Sequence, residues 1–181
     1  MTAQPPPPSP GYDPGAGPHA GRRPGELVDR FLARLIDGVL LAVVYVFAAV
    51  IVGGAVMGDR GGQYGSGSAA RAASAVLGAV IYLGYFTLME SSRGQTVGKT
   101  VRKLHTLGPA GGKPTVEQSM RRNIWVAAGI LGVIPVVGST LGGLLELVAV
   151  MMIAVGINKD AIHRQAWHDH FAGGTSVVKE G

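Results

Sequence analysis

Two arginines and an aspartate stand at the start of a long apolar run, and they are the residues of this sequence best placed to do chemistry. Arg30, Arg34 and Asp37 are four and three residues apart, so a helix would carry all three on one face. A charge inside an apolar run is costly unless another group neutralises it. Either Arg34 neutralises Asp37 within one helix while both arginines reach the lipid headgroups, or Asp37 faces a bundle interior and meets a polar group of another segment.

A second acid, Glu146, also lies inside an apolar run. It could hydrogen-bond to a neighbouring helix or bind an ion, and the residues alone leave both open. Asp169 lies among His163, His168 and His170, a grouping that suggests metal binding. Their spacing matches no known zinc pattern, so an interfacial segment is favoured and we predict no metal site.

The glycines between residues 94 and 100 resemble a phosphate-binding loop only superficially. Gly94 and Gly98 are separated by three residues where that motif needs four, and an apolar helix precedes them where it needs a strand. We therefore exclude a nucleotide site. No serine, histidine and acid arrangement is apparent either, so we predict that the chain is not an enzyme and uses no cofactor.

The composition indicates the elements that must position these side chains. Of 181 residues, 47% are hydrophobic and 15% are charged, which is atypical of a soluble domain. We predict an all-α membrane protein, a small bundle of about four transmembrane or re-entrant helices. The predicted segments are 32–57, 72–89, 124–137 and 141–157. The third is short for a span, so it is either tilted in a thinned bilayer or re-entrant.

The parts outside these segments divide into two tails and a connection. Residues 1–26 are rich in proline and glycine and predict a disordered cytoplasmic tail before a membrane domain over 27–181. Glu90, at the end of the second segment, is expected to be a solvated helix terminus. The cytoplasmic connection 91–122 is basic, and Thr115 with Gln118 predicts a capping box that starts a helix there. Residues 158–181 form a polar cytoplasmic tail.

The basic residues predict the orientation. With four segments and a cytoplasmic N-terminus, fourteen of the sixteen lysines and arginines lie inside and only Arg60 and Arg71 lie outside. Both termini are then cytoplasmic. Because orientation accounts for the net charge of +5, we predict no nucleic-acid partner. The expected partners are the lipid bilayer and a second copy of the chain or another membrane protein.

Three separated motifs resemble those of the RDD family of bacterial membrane proteins over about residues 27–178. The segment Arg30 to Asp37 reads Arg-x-x-Ala-x-x-x-Asp, Gly94 to Lys99 reads Gly-Gln-Thr-x-Gly-Lys, and His168 to Gly173 reads His-Asp-x-x-Ala-Gly. The resemblance implies that Arg30, Asp37 and Asp169 are the charges for which the family is named. It also implies a bacterial plasma membrane location. The remaining motif residues are Gly94, Gln95, Thr96, Gly98, Lys99 and His168.

Two functions remain open. Some members of the family are associated with sodium–proton exchange or other transport, so the chain could be a component of ion or small-solute transport in which Asp37, with or without Glu146, binds a cation or proton. Alternatively it is a non-catalytic accessory or scaffolding protein. In that case the charges only fix helix packing, and the basic connection meets a partner or anionic lipid.

Overall fold

The computed structural model describes residues 22–58, 67–134 and 137–180. Most of the predicted disordered tail, residues 1–21, lies outside these ranges. Its last part is ordered, because Arg23–Pro24 forms a short strand, β1, at the edge of a sheet. Proline is tolerated at a sheet edge, where its missing N–H costs no ladder bond. The ordered domain thus begins before residue 27.

Within the described ranges, three helices are long and apolar enough to cross a membrane. They lie within α1 (Leu27–Gly58), α2 (Gly67–Arg93) and α5 (Gly138–Lys159), and they correspond to the predicted segments 32–57, 72–89 and 141–157. Large apolar side chains on their outer faces are exposed, for example Phe47 at 67% and Met151 at 58%. Such faces are stable in lipid and unstable in water.

The predicted third segment, 124–137, is a 3₁₀ helix over Ile124–Val133. Ten residues of 3₁₀ helix rise about 20 Å, less than the roughly 30 Å of a bilayer core. It packs closely against α5: a Cβ on Gly142 would lie 2.7 Å from the carbonyl oxygen of Ala128, and one on Gly138 would lie 1.9 Å from that of Leu131. Glycine therefore allows this tight antiparallel hairpin.

Among the described residues, three short strands pair into one sheet, a pairing that the sequence did not predict. The order is β1-β3-β2, where β2 is Leu104–Leu107 and β3 is Ser176–Lys179, and both pairs are antiparallel. β1 precedes α1, β2 follows α2, and β3 follows α5. The sheet therefore gathers the start of α1 and the ends of α2 and α5 at one end of the bundle.

Three short helices complete this end. They are α3 (Val97–Val101), α4 (Val116–Asn123) and α6 (Trp167–Phe171), and with the sheet they form what we call the cap. The predicted capping box of α4 is confirmed, with Gln118 N donating to Thr115 Oγ1 at 3.2 Å and Thr115 N donating to Gln118 Oε1 at 2.9 Å.

Candidate functional site

Asp37 lies at the junction of α1 and the cap, and its side chain is 1% exposed. It accepts hydrogen bonds from Tyr85 Oη at 2.7 Å, from Thr96 Oγ1 at 2.5 Å and from Gly98 N at 2.7 Å. All three donors belong to other segments, as in the second interpretation of this residue. The carboxylate thus joins α1 to α2 and to the start of α3.

The Gly94–Lys99 motif supplies two of these donors, and its residues explain its shape. Thr96 is the N-cap of α3, and its Oγ1 accepts from Lys99 N at 3.3 Å. Gly94 has a φ of +70°, which disfavours a side chain. Gln95 donates from Nε2 to the Leu104 carbonyl at 3.1 Å and so ties the loop to β2.

Gly98 brings two backbones together. A Cβ at this position would lie 2.0 Å from the carbonyl oxygen of Ala33 and 3.0 Å from the carboxyl carbon of Asp37. Only glycine fits that space, so the small residue of the motif is required by the approach of α3 to α1.

The motif lysine, Lys99, is buried and forms an ion pair with Glu90. It also donates to Thr106 Oγ1 at 2.6 Å. Burial lowers the pKa of Lys99 to about 8, although the negative charge of Glu90 opposes this effect. Glu90 is 1% exposed and accepts from Asn123 Nδ2 at 3.1 Å. The prediction of a solvated Glu90 is wrong, because α2 ends inside the cap.

Asp169 occupies a second buried position, with no measurable exposure. Arg122 Nη2 lies 3.1 Å and Arg30 Nη1 lies 3.7 Å from its oxygens. Asp169 also accepts from Ala166 N and from Thr175 Oγ1, each at 3.1 Å. Burial disfavours its ionised form, but Arg122 and the other cations outweigh burial and hold the pKa of Asp169 below its usual range.

The three histidines of the ending do not gather around Asp169. His168 is buried, whereas His163 and His170 are exposed. Burial lowers the pKa of His168 to about 3, so its ring is neutral at pH 7. In the described part of the chain, no group of three or more acids and histidines is arranged to hold a metal ion.

Arg34 lies between these two groups. Its Nη2 donates to Asn123 Oδ1 at 3.0 Å, and its guanidinium carbon is 3.7 Å from the centroid of the Phe86 ring. Among the described residues, no carboxylate oxygen lies within 4 Å of Arg34, so it does not pair with Asp37 as the first interpretation expected. A cation over an aromatic face gains electrostatic stabilisation without a carboxylate.

A third ion-pair group lies at the outer side of the cap and was not predicted. Asp29 pairs with Arg102 and with Lys179, the latter at 2.7 Å. It links the start of α1 to residues just before β2 and at the end of β3. Asp29 precedes the family motif, and its sequence neighbours give no sign of partners so far along the chain.

Glu146 lies apart from the buried acids Asp37, Glu90 and Asp169 and the cations around them, which we call the charged cluster. It is half-buried and lines an open cavity of about 480 Å³ between the helices, together with Tyr45, Tyr82 and one cation of that cluster, Arg34. Its Oε1 would be 2.9 Å from a Cβ on Gly129, in the 3₁₀ helix. The structure therefore brings Arg30, Arg34, Asp37 and Asp169 to one end of the bundle and leaves Glu146 among the helices.

A model of the RDD family matches residues 24–173 of the chain. No curated protein and no solved structure matches it.

Proposed function

The chain belongs to the RDD family, and from that premise we propose that it is an accessory or scaffolding membrane protein in which buried charges lock the cap onto the helix bundle. It is non-enzymatic in this proposal. The main support for this proposal is the set of hydrogen bonds that Asp37 accepts. Its two oxygens already accept three hydrogen bonds from groups fixed in the fold, one of them a backbone N–H.

A carboxylate that couples transport must exchange its proton or cation with water during the cycle. Asp37 is 1% exposed, and its donors come from α2 and the Gly94–Lys99 motif. Releasing these donors would break the link that Asp37 makes from α1 to α2 and to the start of α3. This arrangement supports a role in holding segments together over a role in carrying an ion.

In the proposed topology the chain crosses a bacterial plasma membrane four times, and both termini lie in the cytoplasm. The cap gathers the start of α1 and the ends of α2 and α5, so the chain between α2 and α5 must leave and return. The 3₁₀ helix and the residues after it would make the outward passage. Most of the basic residues lie in the cap, in the connections between its elements or at the ends of the helices that meet it, which favours the cytoplasmic side for this end of the bundle.

The proposed partners are of two kinds. Lipid would cover the exposed apolar faces of the long helices, and a second copy or another membrane protein could pack on part of them. Exposed cations of the basic connection between α2 and the 3₁₀ helix would meet an acidic partner or anionic lipid headgroups. These cations are Arg93, Lys103, Lys113 and Arg121.

A second candidate function, cation or proton transport, is favoured by Glu146. This acid, two tyrosines and Arg34 line an open cavity of about 480 Å³ between the helices, and membrane-embedded acids that face such cavities often mark ion pathways. In this candidate Glu146, not Asp37, is the residue that binds the ion.

One experiment separates the two candidates. The full chain, Asp37→Asn and Glu146→Gln are compared for amount in the membrane and for cation-driven proton flux in vesicles. The accessory role predicts no flux for the full chain and a reduced amount of Asp37→Asn, because an amide cannot satisfy all three donors. Flux that Glu146→Gln abolishes at unchanged amount would establish transport instead. Flux abolished by Asp37→Asn at unchanged amount would overturn the packing role proposed for Asp37.

A further inference from the structure

A pocket of about 350 Å³ lies between α1 and α5, next to the charged cluster. Its outer part is apolar and includes Phe31, Val150 and Ala154. Phe31 is 62% and Val150 is 45% exposed, so the pocket opens sideways from the bundle, toward the space that lipid would occupy. We call it the α1–α5 pocket.

The inner part of this pocket is rich in buried donors. Arg30 Nη1, Arg122 Nη1 and Trp125 Nε1 are buried, and none has a hydrogen-bond partner among the residues that the structure describes. All three side chains line the pocket. Arg122 is only 5% exposed. A buried donor without a partner is costly, so a ligand that accepts hydrogen bonds here would be stabilised.

The formal charges around the pocket do not balance. Four cations line it, and three acids contact or lie close to them, which leaves one positive charge in excess. A buried charge without a counterion is strongly disfavoured. A single anion is the ligand that would neutralise this excess and accept from the donors. The cations are Arg30, Arg34, Lys99 and Arg122, and the acids are Asp37, Glu90 and Asp169.

We propose that the α1–α5 pocket binds one anionic phospholipid, with its phosphate at Arg30 and Arg122 and an acyl chain along Phe31, Val150 and Ala154. A phosphate accepts several hydrogen bonds from guanidinium groups, and the apolar outer wall suits a hydrocarbon chain. Basic pockets between membrane helices near the cytoplasmic side recognise anionic headgroups in this way. The inference goes beyond the proposed function, since this ligand would be bound by an accessory protein and by a transport component alike.

The chain contains two tryptophans, and only Trp125 lines the pocket. In Trp167→Phe, fluorescence therefore reports Trp125 alone. This protein is placed in vesicles of equal parts phosphatidylglycerol and phosphatidylcholine, with bromine on the acyl chains of one lipid or the other. Total composition is the same in both samples. We expect bromine on the anionic lipid to quench Trp125 more strongly, reflecting an enrichment of about fivefold beside the pocket.

A matched pair of variants tests the position of the chain. Ala154→Phe fills the apolar wall of the pocket, and Val155→Phe adds the same ring at the next residue of α5, which is 50% exposed and does not line it. Ala154→Phe should abolish the preference, and Val155→Phe should keep it. In the protein that carries only Trp167→Phe, equal quenching by the two brominated lipids would overturn the proposal. That comparison does not depend on how Ala154→Phe and Val155→Phe fold.

A free anion is the other source of the same chemistry. The vesicle measurement is therefore repeated with excess inorganic phosphate. If the preference for the anionic lipid persists, the phospholipid assignment stands. If phosphate alone removes the preference, the pocket is a free-anion site and the phospholipid proposal is wrong.

Discussion

Asp37 accepts a hydrogen bond of 2.7 Å from the backbone nitrogen of Gly98, although 61 residues separate them in the chain. The bond forms because α3 begins against the carbonyl of Ala33, where a side chain on Gly98 would not fit. The first acid of the family's name and a glycine of its second motif therefore act together. They fix the position of the cap on α1.

The first prediction concerns Gly98. In Gly98→Ala, the new Cβ would lie 2.0 Å from the Ala33 carbonyl oxygen, so α3 must move and the bond to Asp37 must lengthen. We expect a loss of about 2–3 kcal/mol or more in the free energy of unfolding, as for overpacked sites. Denaturant-induced unfolding in detergent, followed by circular dichroism, measures it.

Gly84→Ala in α2 is the matched control, because a Cβ there meets no atom within 4 Å among the described residues. Alanine favours the helix at such a position, by up to about 1 kcal/mol. Equal stability of the two variants would contradict the close approach of α3 to α1.

The second prediction is an acid sensitivity caused by His168. Burial lowers its pKa to about 3, against an ordinary value of 6.5; the positive charges of Arg122, Arg34 and Arg30 add to this shift, and the negative charge of Asp169 opposes it. The unfolded chain therefore takes up a proton below about pH 6.5 that the folded chain refuses, so stability is complete above that pH and falls toward about pH 3. At pH 5 the loss should be about 2 kcal/mol relative to pH 7.

Unfolding measured at pH 7 and pH 5 for the full chain and for His168→Asn tests this acid sensitivity. The variant should lose most of the difference between the two pH values. His170→Asn changes an exposed ring of the same helix and should retain it. A pH dependence that survives in His168→Asn would assign the effect to another group.

The long helices and the motif residues could be predicted from the sequence, because apolar runs and local spacing are encoded within short stretches. The long-range contacts of the buried polar residues and the pairing of the short strands could not be predicted. Glu90 follows an apolar run and precedes a polar stretch, which is typical of a solvated helix end. Its burial depends on contacts with Lys99 and Asn123, which come later in the chain. β1 has only two residues and includes Pro24, so no alternation marks it as a strand. Both the burial of Glu90 and the formation of β1 depend on residues that are distant in the sequence.

The third prediction concerns topology. Because β2 and β3 pair in one sheet, the connection and the C-terminus should lie on the same side of the membrane, and the loop between α1 and α2 on the other. Tags inserted after Gly112 and Gly181 should be accessible only from the cytoplasm, and a tag after Gly62 only from outside. Each tag carries a single cysteine, since the chain itself contains none. Labelling of these cysteines in intact cells measures their accessibility from outside. Tags after Gly112 and Gly181 on opposite sides would exclude the four-passage arrangement.

The last prediction concerns the buried pair of Lys99 and Glu90. Lys99→Met leaves the Glu90 carboxylate buried without its cation, and breaking such a pair typically costs about 3–5 kcal/mol. Glu90→Gln in the same chain removes the uncompensated charge, so the double variant should be more stable than Lys99→Met alone. Unfolding of the four proteins in a double-mutant cycle should give a coupling of about 1–3 kcal/mol. The exposed pair of Arg121 and Glu117 is the control and should give less than about 1 kcal/mol. Additive effects of Lys99→Met and Glu90→Gln would mean that their contact does not hold α2 to the cap.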